Sequence, residues 1–207
     1  MIKIIITSNG DTEYDDYLMK RIKQKDFTDT CLSSRGKAYI KENSKKLLEK
    51  MPLKMDIAFI SPYTKSVETI METYKECKTI PSIYAMTLLG DRDDSMENVG
   101  LYQEDLIKKY GDIDFEEVFW EKNDMNDKKW WNNDFQRDLS KRVKLFEEFM
   151  YDNKDELINK NIHVITNNSF IEEIIKRPIT NYQSFMINYD VVNRKWTPSF
   201  RSIRALF

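Results

Sequence analysis

Three short polar segments stand where this chain could do chemistry. Thr7-Ser8-Asn9-Gly10 follows the apolar run Ile2 to Ile6. Ser61-Pro62-Tyr63-Thr64-Lys65 follows the run ending at Ile60, and Thr166-Asn167-Asn168-Ser169 follows the run ending at Ile165. Their side chains are hydroxyls, carboxamides and one ammonium, groups that hold a ligand by hydrogen bonds and a single point charge. None is a strong nucleophile. The hydroxyls of Thr7 and Ser8 would need an activating base. The only histidine, His163, lies near the start of its apolar run rather than at its polar end, so it is expected in the core. Asp91, Asp93, Asp94 and Glu97 make an acidic stretch further along the chain.

The elements that must position these residues follow from periodicity. Ile2 to Ile6 reads as a buried strand, being β-branched and unbroken. Tyr14 to Gln24 is polar, a short helix or a loop. Ser34 to Met51 reads as a helix with Ala38, Leu47 and Leu48 as its apolar positions. Met55 to Pro62 is a second strand. The helix after it carries Val67, Ile70, Met71 and Tyr74 at helical spacing. Pro81 to Leu89 is a third strand. Residues 130–157 read as an amphipathic helix with Leu139, Val143, Phe146 and Phe149 inward, Asn161 to Thr166 as a fourth strand, and residues 184–200 as a closing strand or hairpin. Strands alternating with helices predict an α/β fold, a three-layer α/β/α sandwich with a mostly parallel sheet. Ligands in such sheets bind beyond the carboxyl ends of the strands, and the three polar segments are three such ends.

Composition bounds the rest. The 207 residues suit one domain, 1–207, with an irregular acidic insertion at about 90–129. Hydrophobic residues are 41% and charged residues 33%, enough to build a core and keep a polar surface. A net charge of −2 argues against nucleic acid as a partner. No stretch is apolar for long enough to span a bilayer, and Met1 to Ile6 is too short for a signal peptide. Cys31 and Cys77 make neither a disulfide framework nor a zinc set, which fits a reduced, cytoplasmic or otherwise intracellular setting. No Walker loop, dinucleotide fingerprint, nucleophile elbow or HExxH segment occurs. The spacing of Asp91 to Asn98 does not fit a calcium loop, so neither cofactor nor metal is expected. Trp120, Trp130 and Trp131 either mark a partner surface or anchor the insertion to the core.

Taken in order, the segments resemble the histidine phosphatase (phosphoglycerate mutase-like) superfamily. Its opening strand and "RHGET" correspond to "SNGDT", Ser8 to Thr12. Its "D-x-x-LT-x-x-G" corresponds to "DTCLSSRG", with Asp29, Leu32, Ser33 and Gly36 in register. Its "SSPxxRAxQTA" corresponds to "ISPYTKSVETI", with Ser61, Pro62, Lys65, Glu68 and Thr69 in register, and its "VVTHGGFI" to "VITNNSFI", Val164 to Ile171. The match runs along nearly the whole chain, and its middle looks most like the plant and fungal branch of the family.

The resemblance implies that a histidine attacks phosphorus while two arginines and a second histidine hold the phosphoryl oxygens, an acid protonating the leaving group. Carried across, the nucleophile position holds Asn9, whose amide nitrogen has no available lone pair. The adjacent arginine is Ser8, the second arginine Lys65 and the second histidine Asn167; Asp91 stands near the acid's place. Ser8, Asn9, Lys65, Arg92, Asn167 and Asn168 are candidate phosphate-binding residues, Arg35 being a solvated helix-start residue. Loss of a nucleophile alone commonly costs about 10⁴–10⁶ in turnover. The expectation is therefore an inactive homologue that binds a phosphorylated small molecule or a protein. The alternative is a divergent, weak phosphomonoesterase or mutase working through Lys65.

Overall fold

A computed structural model describes residues 1–23, 26–51, 54–91, 98–115, 131 and 138–198. Six strands form one sheet: β1 (Ile2–Ser8), β2 (Ile57–Ile60), β3 (Ser82–Ala85), β4 (Ile162–Thr166), β5 (Ser184–Asp190) and β6 (Lys195–Pro198), in the order β3-β2-β4-β1-β5-β6. The first four are parallel; β5 and β6 run antiparallel and close the chain as a hairpin. The sheet is thus mostly parallel, as the alternation of elements predicts.

Side chains alternate across the sheet and separate two cores. On one face Ile5, Ala58, Ile60 and Ile165 pack beneath α2 (Ser34–Lys50) and α3 (Thr64–Tyr74). On the other, Ile4, Ile6, Phe59 and Val164 pack against α5 (Leu139–Asp152) and α7 (Asn168–Ile175). Three shorter helices complete the described structure: α1 (Glu13–Leu18), α4 (Gln103–Lys109) and α6 (Lys154–Leu157). No described helix is long and apolar enough to cross a membrane.

The helix faces are mostly those read from spacing. Leu139, Val143, Phe146 and Phe149 are all buried. Val67, Ile70 and Tyr74 are buried too, but Met71 is exposed, because the α3 stripe is completed by Thr69 and Thr73 instead. In α2 the inward face is Gly36, Ile40, Asn43 and Leu47, and Ala38 points to solvent. Two small or polar residues on that face hid it from a hydrophobic count.

The third strand is shorter than the predicted span to Leu89. Its partner β2 ends at Ile60, where Met86 N makes the last contact with the Ile60 carbonyl at 2.8 Å. Without a further ladder, Thr87–Leu89 turns into a 3₁₀ segment that drives Leu88 and Leu89 into the core. The stretch read as an irregular insertion contains α4, and Asp114 adds a parallel bridge to Tyr84 at the edge of β3. Leu106, Ile113 and Phe115 tie this segment to the core. Trp131 is buried and meets Tyr102 edge-on at 5.4 Å, so it serves as an anchor. Trp120 and Trp130 lie outside the described residues.

Gly36 marks a close approach of two segments. A Cβ there would stand 3.0 Å from the Asp11 carbonyl carbon and nearer still to its oxygen. Neither partner is a flexible side-chain end. We expect Gly36→Ala to destabilise the protein by about 3 kcal/mol, in the upper range for overpacking, read as a lowered urea midpoint with an unchanged slope.

His163 is fully buried on the α2–α3 face. Its Nε2 meets Thr7 Oγ1 at 2.8 Å and its Nδ1 meets Tyr74 Oη at 3.0 Å. Thr7 Oγ1 is also 2.8 Å from Ser184 Oγ. Thr7 thus has an imidazole neighbour, but the pair is sealed in the core, where His163 was expected. Burial drives the imidazole pKa down to about 3, so the ring stays neutral in the fold. The unfolded chain takes up a proton near pH 6.5 and the folded one does not. Stability is therefore full above that pH and is lost as pH falls from 6.5 toward 3. Between pH 7 and 5 the loss from this group is about 2 kcal/mol. As the chain's single histidine, it can be isolated. His163→Gln should flatten the dependence of the melting temperature on pH in that window, and an unchanged slope would contradict the assignment.

Candidate functional site

Because β4 pairs in parallel with both β1 and β2, the carboxyl ends of all three lie side by side. Their polar segments open into one cleft of ≈ 290 Å³. Asn9 and Gly10 enter it from the end of β1, Asn167, Asn168 and Ser169 from the end of β4, and Lys65 from the first turn of α3. Asp91 completes this set. The three segments marked by residue type alone are thus brought together.

Asn9 is held from both sides of its backbone, donating to the Thr166 carbonyl at 3.0 Å and accepting from Tyr182 N at 2.8 Å. Its side-chain Oδ1 accepts from Ser66 Oγ at 2.8 Å. The amide Nδ2 has no hydrogen-bond partner among the described residues, although Asn9 is only 6% exposed.

Asn167 is placed differently. It is the N-cap of α7, and its Oδ1 accepts from Phe170 N at 2.9 Å and Ser169 Oγ at 2.6 Å. Its Nδ2 donates to the Gly90 carbonyl at 2.7 Å. Asparagine is among the best N-caps because its short carbonyl reaches a free helix N–H. Asn168 lies one step further on and donates to Asn181 Oδ1 at 2.8 Å.

Lys65 is almost fully buried. Its Nζ donates to Asp91 Oδ2 and to Asn98 Oδ1, both at 3.0 Å, and sits 5.5 Å from the Tyr63 ring centre. The second oxygen of Asp91 accepts from Ser169 Oγ at 3.4 Å. A lysine ammonium beside a helix start is a ready anion site. In this protein a carboxylate of its own chain already occupies that position.

Ser8 is not in the cleft. Its Oγ donates to the Thr180 carbonyl at 2.9 Å and accepts from Gln183 N at 2.9 Å, which turns it toward the loop before β5. The strand alternation explains this: Ser8 and Asn9 point to opposite sides, and only one can face the cleft. Arg35 is exposed and pairs with Asp11 at 2.7 Å and Asp16 at 3.2 Å. Arg92, Asp93, Asp94 and Glu97 lie outside the described residues. The described residues contain no group of three or more acidic, histidine or cysteine side chains fit to hold a metal. Cys31 donates to Glu13 Oε2 at 3.1 Å, and burial, aided by that carboxylate, pushes its thiol up to about 11. It is a poor nucleophile at neutral pH.

Three lining residues escaped the sequence reading, Asp15, Glu172 and Asn181, and Thr12 was read only as part of the Ser8 to Thr12 motif. Thr12 and Asp15 form a capping box on α1, whose Thr-x-x-Asp spacing was available as a signal. Glu172 accepts from Ile179 N at 2.9 Å, and Asn181 donates to Asp11 Oδ1 at 2.7 Å. Nothing in local sequence marks these two. A buried residue behind the site was missed as well: Arg142 of α5 donates through Nη1 to the carbonyls of Leu88 and Gly90, fixing the segment that Asn167 also grips.

No family model and no curated protein matches the sequence. Solved structures do match the fold. Phosphoglycerate mutase from Bacillus anthracis superimposes with a TM-score of 0.62 at 14% identity, covering 96% of this chain and 91% of that one. A phosphoserine phosphatase from Entamoeba histolytica, in complex with 3-phosphoglyceric acid, gives 0.56 at 15% identity, covering 96% and 95%. The protein histidine phosphatase SixA, complexed with tungstate, gives 0.56 at 11%, covering 96% and 94%. The chain has the histidine phosphatase (phosphoglycerate mutase-like) fold.

Proposed function

We propose that this chain is a phosphoglycerate mutase-like protein that does not transfer phosphoryl groups and works by binding a small molecule or a protein partner. The observation that carries the reading is Asn9. It faces the cleft at the position where the family resemblance puts the attacking histidine, and a carboxamide cannot form a phosphoryl adduct by that route. Asn167, at the second histidine position, is taken up by capping α7. Lys65, at an arginine position, is ion-paired with Asp91 and cannot offer the bidentate fork of a guanidinium.

A divergent phosphatase working through Lys65 is the competing reading. Against it stands the same ion pair, which neutralises the only cation among the described cleft residues. A net charge of −2 supports a small molecule or protein over nucleic acid as the occupant. The two cysteines, both free, support an intracellular setting.

The purified protein should release no phosphate from p-nitrophenyl phosphate or 3-phosphoglycerate above the rate of an Asn9→Ala control. Robust turnover that Asn9→Ala abolishes would overturn the proposal. The single change Asn9→His is expected to restore nothing, because no clamp for the phosphoryl oxygens accompanies it. Phosphate release by that variant alone would mean that the remaining groups still form a working site.

A further inference from the structure

The segment between α7 and β5 is built unlike the elements it joins. Residues 176–183 belong to no helix or ladder, and Lys176, Arg177, Pro178 and Thr180 are exposed. Two left-handed, non-glycine residues bracket its middle: Lys176, the C-cap of α7, at φ 56° and Tyr182 at φ 53°. That backbone crowds a side chain, so a bulky residue holds it only where its surroundings impose it. At Tyr182 they do. The ring is buried in the core under α2 and α3, the hydroxyl lies 3.0 Å from Thr73 Oγ1, and the N–H donates to the Asn9 carbonyl.

Between these two positions the chain crosses the cleft. Ile179 N donates to Glu172 Oε1 of α7 at 2.9 Å, and the Thr180 carbonyl accepts from Ser8 Oγ at the end of β1. Asn181 lines the cleft and joins its two walls. Its Oδ1 accepts from Asn168 Nδ2 of α7 at 2.8 Å. Its Nδ2 donates to Asp11 Oδ1 at 2.7 Å and to Asp15 Oδ2 of α1 at 3.3 Å. Just past Tyr182 the hold changes in kind. Gln183 and Ser8 bond to each other through Ser8 N, Gln183 N and Ser8 Oγ, continuing the pairing of β1 with β5. An exposed segment fixed by side chains opens at lower cost than the strands beside it.

We propose that residues 177–181 form a strap across the cleft that opens and shuts as one unit, turning about Lys176 and Tyr182 and latched by Asn181. Hinges are commonly a few residues at the ends of elements that absorb a backbone change, and both of these leave a crowded backbone when the strap lifts. The buried Tyr182 ring keeps the strap anchored while it moves. Shut, the Asn181 amide occupies Asn168, Asp11 and Asp15. Open, Asn168 and Asp15 face the cleft with their hydrogen bonds available to an occupant. Neither hinge nor latch takes part in phosphoryl transfer, so a failure here leaves the test of Asn9 as it stands.

Native-state hydrogen exchange of the full chain, read amide by amide by NMR, tests this. The amides of Ile179, Thr180 and Tyr182 should share one opening constant, within about threefold. Ser8, Gln183 and the β1–β4 ladder should be at least about ten times better protected. Asn181→Asp keeps the side-chain shape and the acceptor for Asn168, but removes the donor and sets a carboxylate against Asp11 and Asp15. It should raise opening of the three strap amides about tenfold, the loss of one hydrogen bond to a charged group, and leave the ladder unchanged. Asn181→Asp combined with Asp11→Asn exchanges donor and acceptor and should recover most of the protection, which a loss of general stability would not do. Three results would overturn the proposal: unrelated opening constants for the three amides, strap and ladder protection falling together in Asn181→Asp or not at all, or no recovery in the double variant.

Discussion

Buried backbone N–H groups need acceptors, and the loops above β1 and β2 supply them to one another. Gly10 N donates to Thr69 Oγ1 at 3.1 Å, and Leu32 N donates to Glu68 Oε2 at 2.8 Å. Thr64 N donates to Asp29 Oδ1 at 2.9 Å, and Ser33 N donates to the Asp11 carbonyl at 2.9 Å. Burial raises the Asp29 carboxyl above its ordinary range, while its bonds to Thr64 pull it back. These contacts join segments far apart in sequence, and they fix the end of β1, the start of α2 and the start of α3 as one unit. The cleft exists because that unit is rigid.

The interlock accounts for the positions at which this chain keeps the pattern it resembles. Gly10, Thr12, Asp29, Gly36, Glu68 and Thr69 keep the register of the resemblance. Each of them makes a hydrogen bond between loops, caps a helix or permits a close backbone approach. The departures fall at Ser8, Asn9, Lys65 and Asn167, where the family's chemistry requires imidazole or guanidinium. All four are polar, and three of them have their hydrogen bonds taken up within the chain.

The Lys65–Asp91 pair satisfies the buried ammonium of the cleft from within the chain. An ammonium next to a helix N-terminus attracts an anion. When the chain supplies that anion itself, the charge of the site no longer depends on a ligand. Among the described lining residues the other charged side chains are the carboxylates of Asp15 and Glu172.

Sequence alone determined the class of fold and the place of the site. Strand and helix periods are local properties, so Ile2 to Ile6 and the stripe Leu139, Val143, Phe146 and Phe149 reveal their buried faces without reference to the rest of the chain. The order of the polar segments located the cleft for the same reason: each sits immediately after its own strand. Tertiary structure alone decided what those segments do. Whether Ser8 faces the cleft, whether Asn167 is available or occupied as a cap, and which acid meets Lys65 all depend on partners dozens to more than a hundred residues away. Glu172 and Asn181 enter the site through helix phase and loop path, which no local pattern encodes. The net charge of the chain is near neutral, and only the packing of α1, α3 and α7 around one opening concentrates its carboxylates there.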